Sequence, residues 1–347
     1  MQNSNKKIKI INIMLAKDLG GIQQVFIDYA ICFTKLNIKL LNILHPKAKI
    51  LDEVKRRKLD YSFLKNSNKY DLFARFKLFK ILKSENPDYI LLHGNRAMQL
   101  ANLMQKIFPN TKFIAICHNT WFKNAPNYQY YIMVSKYIEN HLPHGMQKFC
   151  IPNAIELDAE IAPKTTNPDF ITIGALGRVV DDKGFHILIK ALAIAKETVP
   201  NIKLQIAGDG EMMSELKQMT SSLNLIGNVK FLGWIKDKSA FFSKIDIFCM
   251  PSLIEPFGIV ALEGAKFDTP LIVSDAEGPV AIFTHNENCL MVKKSDEQDL
   301  AKQIVILAQD AELRQKLSQN AKALLIKKYS LEKMQVNLSK MLERLNK

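Results

Sequence analysis

Short, almost wholly apolar runs alternate along the chain with longer segments whose apolar residues recur every third or fourth position. In the first half, residues 8–15, 38–44, 89–93, 113–117, 131–134 and 148–151 predict strands, and residues 22–34, 70–83, 96–107 and 136–141 predict helices. Strands apolar on both faces and separated by helices predict a parallel sheet covered on both sides. Residues 152–169 break the rhythm with Pro163-Lys164-Thr165-Thr166-Asn167-Pro168, a polar stretch that predicts an interdomain linker. Alternation then restarts, with strands predicted at 170–175, 203–207, 229–232, 246–250 and 271–273 and helices at 185–197, 211–223, 239–244 and 258–267. After Ser295 the pattern is mainly helical, and the amphipathic residues 331–345 predict a helix that returns to the first domain. The expected fold class is α/β, with two doubly wound domains facing a cleft. They occupy residues 1–160 and 170–328, and residues 329–347 pack back on the first.

A chain of 347 residues is long enough for two cores. Its apolar runs fall far short of the ~20 residues that span a bilayer. Lys6-Lys7-Ile8-Lys9 ahead of an apolar run resembles a weak signal peptide, but Lys17-Asp18-Leu19-Gly20-Gly21 follows in place of a small-residue cleavage site. The segment therefore predicts a first strand entering a glycine turn. The five cysteines, Cys32, Cys117, Cys150, Cys249 and Cys289, form no Cys-x-x-Cys pair and lie in or beside apolar runs. They predict buried, reduced thiols in a cytoplasmic protein rather than disulfides or zinc.

Charge divides the chain unevenly. Residues 1–165 hold 25 Lys and Arg against 12 Asp and Glu, and residues 166–347 hold 23 against 22. The densest stretch includes Lys55-Arg56-Arg57-Lys58, Lys65, Lys69, Arg75, Lys77, Lys80 and Lys83. With Leu72, Phe73, Phe76, Leu78, Phe79 and Leu82 interleaved, it predicts a basic amphipathic helix able to lie on an anionic membrane surface. The alternative is a solvated face over a core-packing stripe. No nucleic-acid motif accompanies the charge, so no nucleic-acid partner is expected.

Candidate chemistry concentrates in turns after predicted strands, where open α/β sheets place ligands. In Glu255-Pro256-Phe257-Gly258-Ile259-Val260-Ala261-Leu262-Glu263, one carboxylate sits in a turn and the second on the helix that follows. Phe257-Gly258-Ile259 presents that helix's first turn, whose free N–H groups and dipole hold anions. An anion seat between two hydroxyl-binding carboxylates suits a nucleotide diphosphate carrying a ribose and a second sugar. Gly177-Arg178 and Lys183-Gly184 put two cations beside another helix N-terminus, able to straddle a diphosphate and stabilise a departing phosphate. A surface turn with unrelated cations is the alternative there. Gly20-Gly21 lets backbone approach a phosphate or sugar, or simply makes the turn. His118, before Asn119-Thr120-Trp121, ends a strand and can meet a sugar hydroxyl or assist proton transfer, or serve structure alone; His93 has the same setting. Gly208-Asp209-Gly210-Glu211 predicts a tight turn and a helix N-cap. The chain lacks a complete Gly-x-Gly-x-x-Gly, a Walker loop, a Gly-x-Ser-x-Gly elbow and any Asp-x-Asp. These absences count against dehydrogenases, P-loop kinases, acyl hydrolases and a metal-held diphosphate. In His141-Leu142-Pro143-His144 the proline interrupts the helix that would align both rings, so no metal site is expected.

In order and spacing, these pieces resemble the family-4 retaining glycosyltransferases of the two-Rossmann-domain (GT-B) type, over nearly the whole chain. Val134-Ser135-Lys136, Ile151-Pro152-Asn153-Ala154, Val229-Lys230-Phe231-Leu232-Gly233 and Pro251-Ser252 add to the match. The resemblance implies a metal-independent transfer from a nucleotide-diphosphate sugar to a lipid-linked or cell-envelope glycan. Arg178 and Lys183 would bind the diphosphate, Glu255 the moving sugar, and Glu263 the ribose. Backbone at Phe257, Gly258 and Ile259 would hold phosphate and sugar, Gly20 and Gly21 would approach the diphosphate, and His118 would face the reacting sugar. No cofactor beyond the donor is implied, and the setting would be cytoplasmic, at the inner membrane face. Departures are local: the run Ser274-Asp275-Ala276-Glu277-Gly278-Pro279-Val280-Ala281 has alanine where a glutamate is expected. Asn153-Ala154 and Asn288-Cys289 replace Asn-Gly. A nucleotide-sugar epimerase or hydrolase, or a glycan-binding protein with a dead site, are the alternatives on this fold.

Overall fold

The computed structural model describes residues 7–18, 20–68, 70–120, 127–157 and 162–346. Lys6, Leu19, Lys69, Trp121 and residues 158–161 of the expected linker lie outside the described residues. The chain divides into two compact units, Met1–Ala154 together with Leu331–Lys347, and Ile155–Ser330.

The first unit runs β1 (Lys9–Met14), α1 (Gly21–Lys35), β2 (Lys39–Leu44), α2 (Leu51–Arg56), β3 (Tyr61–Phe63), α3 (Leu72–Glu85), β4 (Tyr89–His93), α4 (Gly94–Ala101), α5 (Met104–Ile107), β5 (Lys112–Cys117), β6 (Tyr130–Met133) and β7 (Gln147–Cys150). The strands lie in the order β3-β2-β1-β4-β5-β6-β7, and every ladder is parallel. β4 is buried throughout and β1 and β5 along all but their first residue, as expected of central parallel strands covered on both faces. Asn12 is the polar exception inside β1. Its amide donates to Asn42 Oδ1 at 3.0 Å, the residue opposite it on β2, and to the Phe26 carbonyl at 3.2 Å, tying β1 to β2 and α1.

The second unit runs β8 (Ile171–Leu176), α6 (Phe185–Thr198), β9 (Ile202–Ala207), α7 (Met213–Ser222), β10 (Val229–Gly233), α8 (Lys238–Phe242), β11 (Ile247–Met250), α9 (Ile259–Lys266), β12 (Leu271–Ser274), α10 (Glu277–Ile282), β13 (Leu290–Val292), α11 (Glu297–Gln309) and α12 (Ala311–Lys328). Its sheet, also parallel, has the order β10-β9-β8-β11-β12-β13. Asp237, Asp296 and Asp310 cap α8, α11 and α12, each accepting an N–H three residues on. The last helix, α13 (Leu331–Leu345), belongs to the first unit. It buries Leu331, Met334, Leu338, Met341, Leu342 and Leu345, a stripe at helical spacing, and packs on α1.

Several local expectations change. Residues 96–107 form two helices, α4 and α5, and residues 136–141 form a 3-10 turn. α3 buries only Ala74, Leu78 and Leu82, so Leu72, Phe73 and Phe76 are not part of the core stripe. Residues 162–169 are no free linker. Lys164 Nζ donates to the Phe242 and Ile245 carbonyls and to Thr269 Oγ1 at 2.9–3.1 Å, and Thr165 N–H donates to the Ser243 carbonyl at 2.8 Å. Three oxygen acceptors hold a lysine whose pKa burial lowers, so this stretch straps down on the second unit. Cys150 is exposed rather than buried, because it stands on the edge strand β7. Burial pushes the Cys32 and Cys289 thiols up to about 12, and all five cysteines are free. No helix among the described residues is long and apolar enough to cross a membrane.

Candidate functional site

In the second sheet the strand order reverses between β8 and β11, and the loops leaving those strands diverge at the carboxyl edge. Such a switch point opens a crevice for ligands. Residues 177–184 form one wall and residues 251–258 the other. The walls are locked together: the Leu253 and Ile254 N–H groups both donate to the Asp182 carbonyl, at 2.8 and 3.3 Å. Gly184 is the N-cap of α6 with φ +65, and a Cβ there would stand 2.1 Å from the Pro251 carbonyl oxygen. Only glycine satisfies both the left-handed backbone and this approach.

The two walls bring Lys183 and Glu255 together. Lys183 Nζ lies 2.6 Å from Glu255 Oε2, with both side chains largely buried. The other carboxylate oxygen of Glu255 accepts the Gly258 N–H at 3.1 Å, and its backbone carbonyl accepts the Gly278 N–H at 2.8 Å. Glu255 thus braces the entry to α9, whose N-cap Gly258 has φ +97. Phe257 is buried with its ring against Tyr329, and Ile259 opens the helix, so the first-turn N–H groups are presented at the crevice. Arg178 is exposed and makes no side-chain hydrogen bond or ion pair among the described residues. It stands as the available cation of the first wall.

Glu263, on α9, is 8% exposed. Its Oε1 pairs with Lys238 Nζ at 2.5 Å, while its buried Oε2 has no partner among the described residues. Lys238, the ion-pair partner of candidate Glu263, is not singled out by the sequence. It opens α8 and is 25 positions from its partner, with no motif around it. Gly208-Asp209-Gly210 also does more than turn. A Cβ on Gly208, at φ +134, would come within 1.8 Å of the Gly177 carbonyl oxygen. The Val179 N–H donates to the Asp209 carbonyl at 2.9 Å, so this loop buttresses the one bearing Arg178. It is not the N-cap of α7, a position held by Met212.

The first unit gathers its own candidates at the carboxyl edge of its sheet. Gly20 is the N-cap of α1 and Gly21 its first residue; the φ of 173 at Gly20 is extended backbone open to any residue. His118 follows β5 and His93 ends β4, with His93 Nδ1 3.3 Å from His118 Nε2 and the rings stacked at 5.4 Å. Phe26 and Tyr29 set their rings at right angles to that of His93. Burial pushes the His118 pKa down to about 4 and the His93 pKa well below the ordinary histidine value. Both rings are therefore neutral near pH 7, and His118 Nδ1 has no partner among the described residues. Among those residues no cluster of His, Cys, Asp and Glu could hold a metal ion.

Residues 158–324 match the family model "Glycosyl transferases group 1". The chain is 35% identical over 167 residues to the lipopolysaccharide core biosynthesis glycosyltransferase LpsE of Rhizobium meliloti, a match covering 48% of each protein. It thus spans about half the length of that relative. It is 30% identical over 264 residues to the uncharacterized glycosyltransferase MJ1178 of Methanocaldococcus jannaschii, covering 75% of this chain and 69% of that one. In three dimensions it superposes on Anabaena Alr3699/HepE, solved in complex with UDP and glucose, with a TM-score of 0.84 at 18% identity, over 97% of this chain and 100% of that one. At such low identity the likeness concerns the fold.

Proposed function

Since this chain belongs to the glycosyltransferase group 1 family, we propose that it moves a sugar from a nucleotide-diphosphate sugar to a lipid-linked or cell-envelope glycan. In this reading the anomeric configuration is retained, no metal takes part, and the protein works at the inner face of a membrane. The observation that carries it is the Lys183–Glu255 pair beside the N-terminus of α9, at the switch point of the second sheet. The names of LpsE, assigned to lipopolysaccharide core biosynthesis, and of HepE, solved with UDP and glucose, support the acceptor class and the donor class respectively.

The chemistry follows from the donors and acceptors present. Leaving of the nucleotide puts negative charge on the diphosphate, which Arg178, Lys183 and the α9 N-terminus are placed to stabilise. An ammonium has three N–H donors, so Lys183 can keep Glu255 while donating to a phosphate oxygen. Glu255 then accepts from hydroxyls of the sugar being moved, its carboxylate held by Lys183 and the Gly258 N–H. Glu263 offers Oε2 to the ribose, with Lys238 fixing the other oxygen. The acceptor hydroxyl attacks the anomeric carbon on the face the leaving phosphate departs, and its proton passes to a phosphate oxygen. In the first unit, neutral His118, with Nε2 held against His93, offers Nδ1 to a sugar hydroxyl as donor or acceptor according to its tautomer, and not a cation. Glu255→Ala tests the reading: transfer of labelled sugar from donor into lipid-extractable material should fall about a hundredfold or more. Turnover near that of the wild type would remove Glu255 from the site.

A further inference from the structure

The first unit carries an apolar surface that its core does not use. On α3, Leu72 is 73% exposed, Phe73 89% and Phe76 58%, and Tyr70 just ahead of the helix is 67% exposed. Largely exposed aromatic and leucine side chains grouped in this way mark an interaction surface. The surface has a direction. Phe73, Phe76, Lys77, Lys80 and Lys83 follow one another at helical spacing on the side opposite Ala74, Leu78 and Leu82, so an aromatic tip runs into a lysine stem. Lys80 Nζ sits 4.6 Å from the centre of the Phe76 ring. Lys77, Lys80 and Lys83 make no ion pair among the described residues. Asp71, the acid beside the tip, is committed to the N–H groups of Ala74 and Ser67.

The topology says where this face lies. α3 joins β3 to β4 and ends shortly before β4 begins, at the amino edge of the sheet. Its 14 residues span ~21 Å, enough to carry its N-terminus to the carboxyl edge. That edge also holds His93, His118 and Gly20. Beyond the C-terminal half of α3, the Phe79 ring meets that of Phe108 at a tilt, and α5 with its N-cap adds exposed Leu103, Lys106 and Ile107, the same mixture of apolar and basic groups.

We propose that α3 is a membrane wedge: Leu72, Phe73 and Phe76 enter the headgroup region of an anionic bilayer while Lys77, Lys80 and Lys83 meet lipid phosphates. Charge selects this occupant. A second copy would bring the same face, whose Lys77, Lys80 and Lys83 would still lack an anionic partner, whereas lipid phosphates supply one. The wedge, rather than the stretch Lys55-Arg56-Arg57-Lys58, carries the contact, because Glu53 already holds Arg56 and Arg57 at 2.6 and 2.5 Å. The inference deepens the reading of a transferase at a membrane face, since a lipid-linked acceptor would then be delivered to the carboxyl edge of the first sheet.

Flotation of the intact protein with phosphatidylcholine–phosphatidylglycerol vesicles, against phosphatidylcholine alone, tests it without donor or acceptor. Wild type should float with the anionic vesicles only, and less so in high salt. Leu72→Ser, Phe73→Ser and Phe76→Ser combined should lower partitioning more than about tenfold with an unchanged unfolding midpoint. Lys77→Gln with Lys80→Gln should lower it about 30-fold. Equal flotation of the triple-serine variant and wild type overturns the wedge, as does a wild type that ignores both vesicles and instead sediments as a dimer that the triple variant abolishes. Calorimetric titration with nucleoside diphosphates, in the same samples, keeps the two readings apart. A wild type that binds a nucleotide but neither vesicle defeats the wedge alone, and a wild type that binds anionic vesicles but no nucleotide defeats the donor site alone.

Discussion

At the residue scale, two lysine–glutamate pairs define the candidate site, and their roles in stability and binding can be separated. Lys183→Met leaves the nearly buried Glu255 carboxylate with only the Gly258 N–H, and should lower stability by about 1–3 kcal/mol. Adding Glu255→Gln should restore most of that stability in urea unfolding but none of the nucleotide affinity. A double variant that recovers both would make the pair purely structural. His118 gives a pH prediction. Its folded pKa of about 4 lies below the unfolded value of about 6.5, so the unfolded chain binds a proton first. Stability is then greatest above pH ~6.5 and falls as pH drops towards ~4, and His93 adds to the same trend. His118→Gln should flatten that slope in unfolding curves taken across the window; an unchanged slope would show that His118 titrates alike in the folded and unfolded chains. Glu255, Glu263, Arg178 and Lys183 stand out in the sequence as candidates, because a turn, a helix start and a fixed spacing accompany them. Lys238 does not, because only tertiary structure carries it to Glu263.

At the element scale, the turns between strand and helix matter more than the strands they follow. Gly184→Ala would need a left-handed alanine and a Cβ inside the Pro251 carbonyl, and should cost roughly 3 kcal/mol or more in chemical unfolding. Substitution without loss of stability would mean that the two walls are not pressed together as described. Long central strands such as β1, β4 and β5 were legible because burial on both faces writes an unbroken apolar run. The three-residue edge strands β3 and β13 and the six-residue helices α2 and α10 were not, since so few residues carry no period. The basic stretch is a helix, as expected, and the alternative of a single core-packing stripe does not hold. Its apolar residues split between the core, which takes Leu78 and Leu82, and the solvent, which takes Phe73 and Phe76.

At the scale of the whole molecule, the chain is two parallel sheets, each reversing its strand order once. In the proposed function, the excess charge of the first half goes with a lipid surface and acceptor on the first unit, and the near-neutral second half with the donor. Loss of the α3 aromatics should therefore lower transfer to membrane-borne acceptors while leaving donor affinity unchanged, a contrast read by running both assays on the triple-serine variant. The alternation of short apolar runs with helical periods disclosed both sheets. The strap at residues 162–169 stayed hidden because a lysine bonded to three oxygens has the same composition as a free linker. In the proposed function, the switch point of the second sheet binds the diphosphate of a nucleotide sugar. Isothermal titration of wild type and Arg178→Ala with a panel of nucleoside diphosphates tests it most directly. The account predicts that at least one nucleotide binds the wild type and that the variant binds it about tenfold or more weakly. Equal affinity in the two proteins, or no binding by the wild type across the panel, would contradict it.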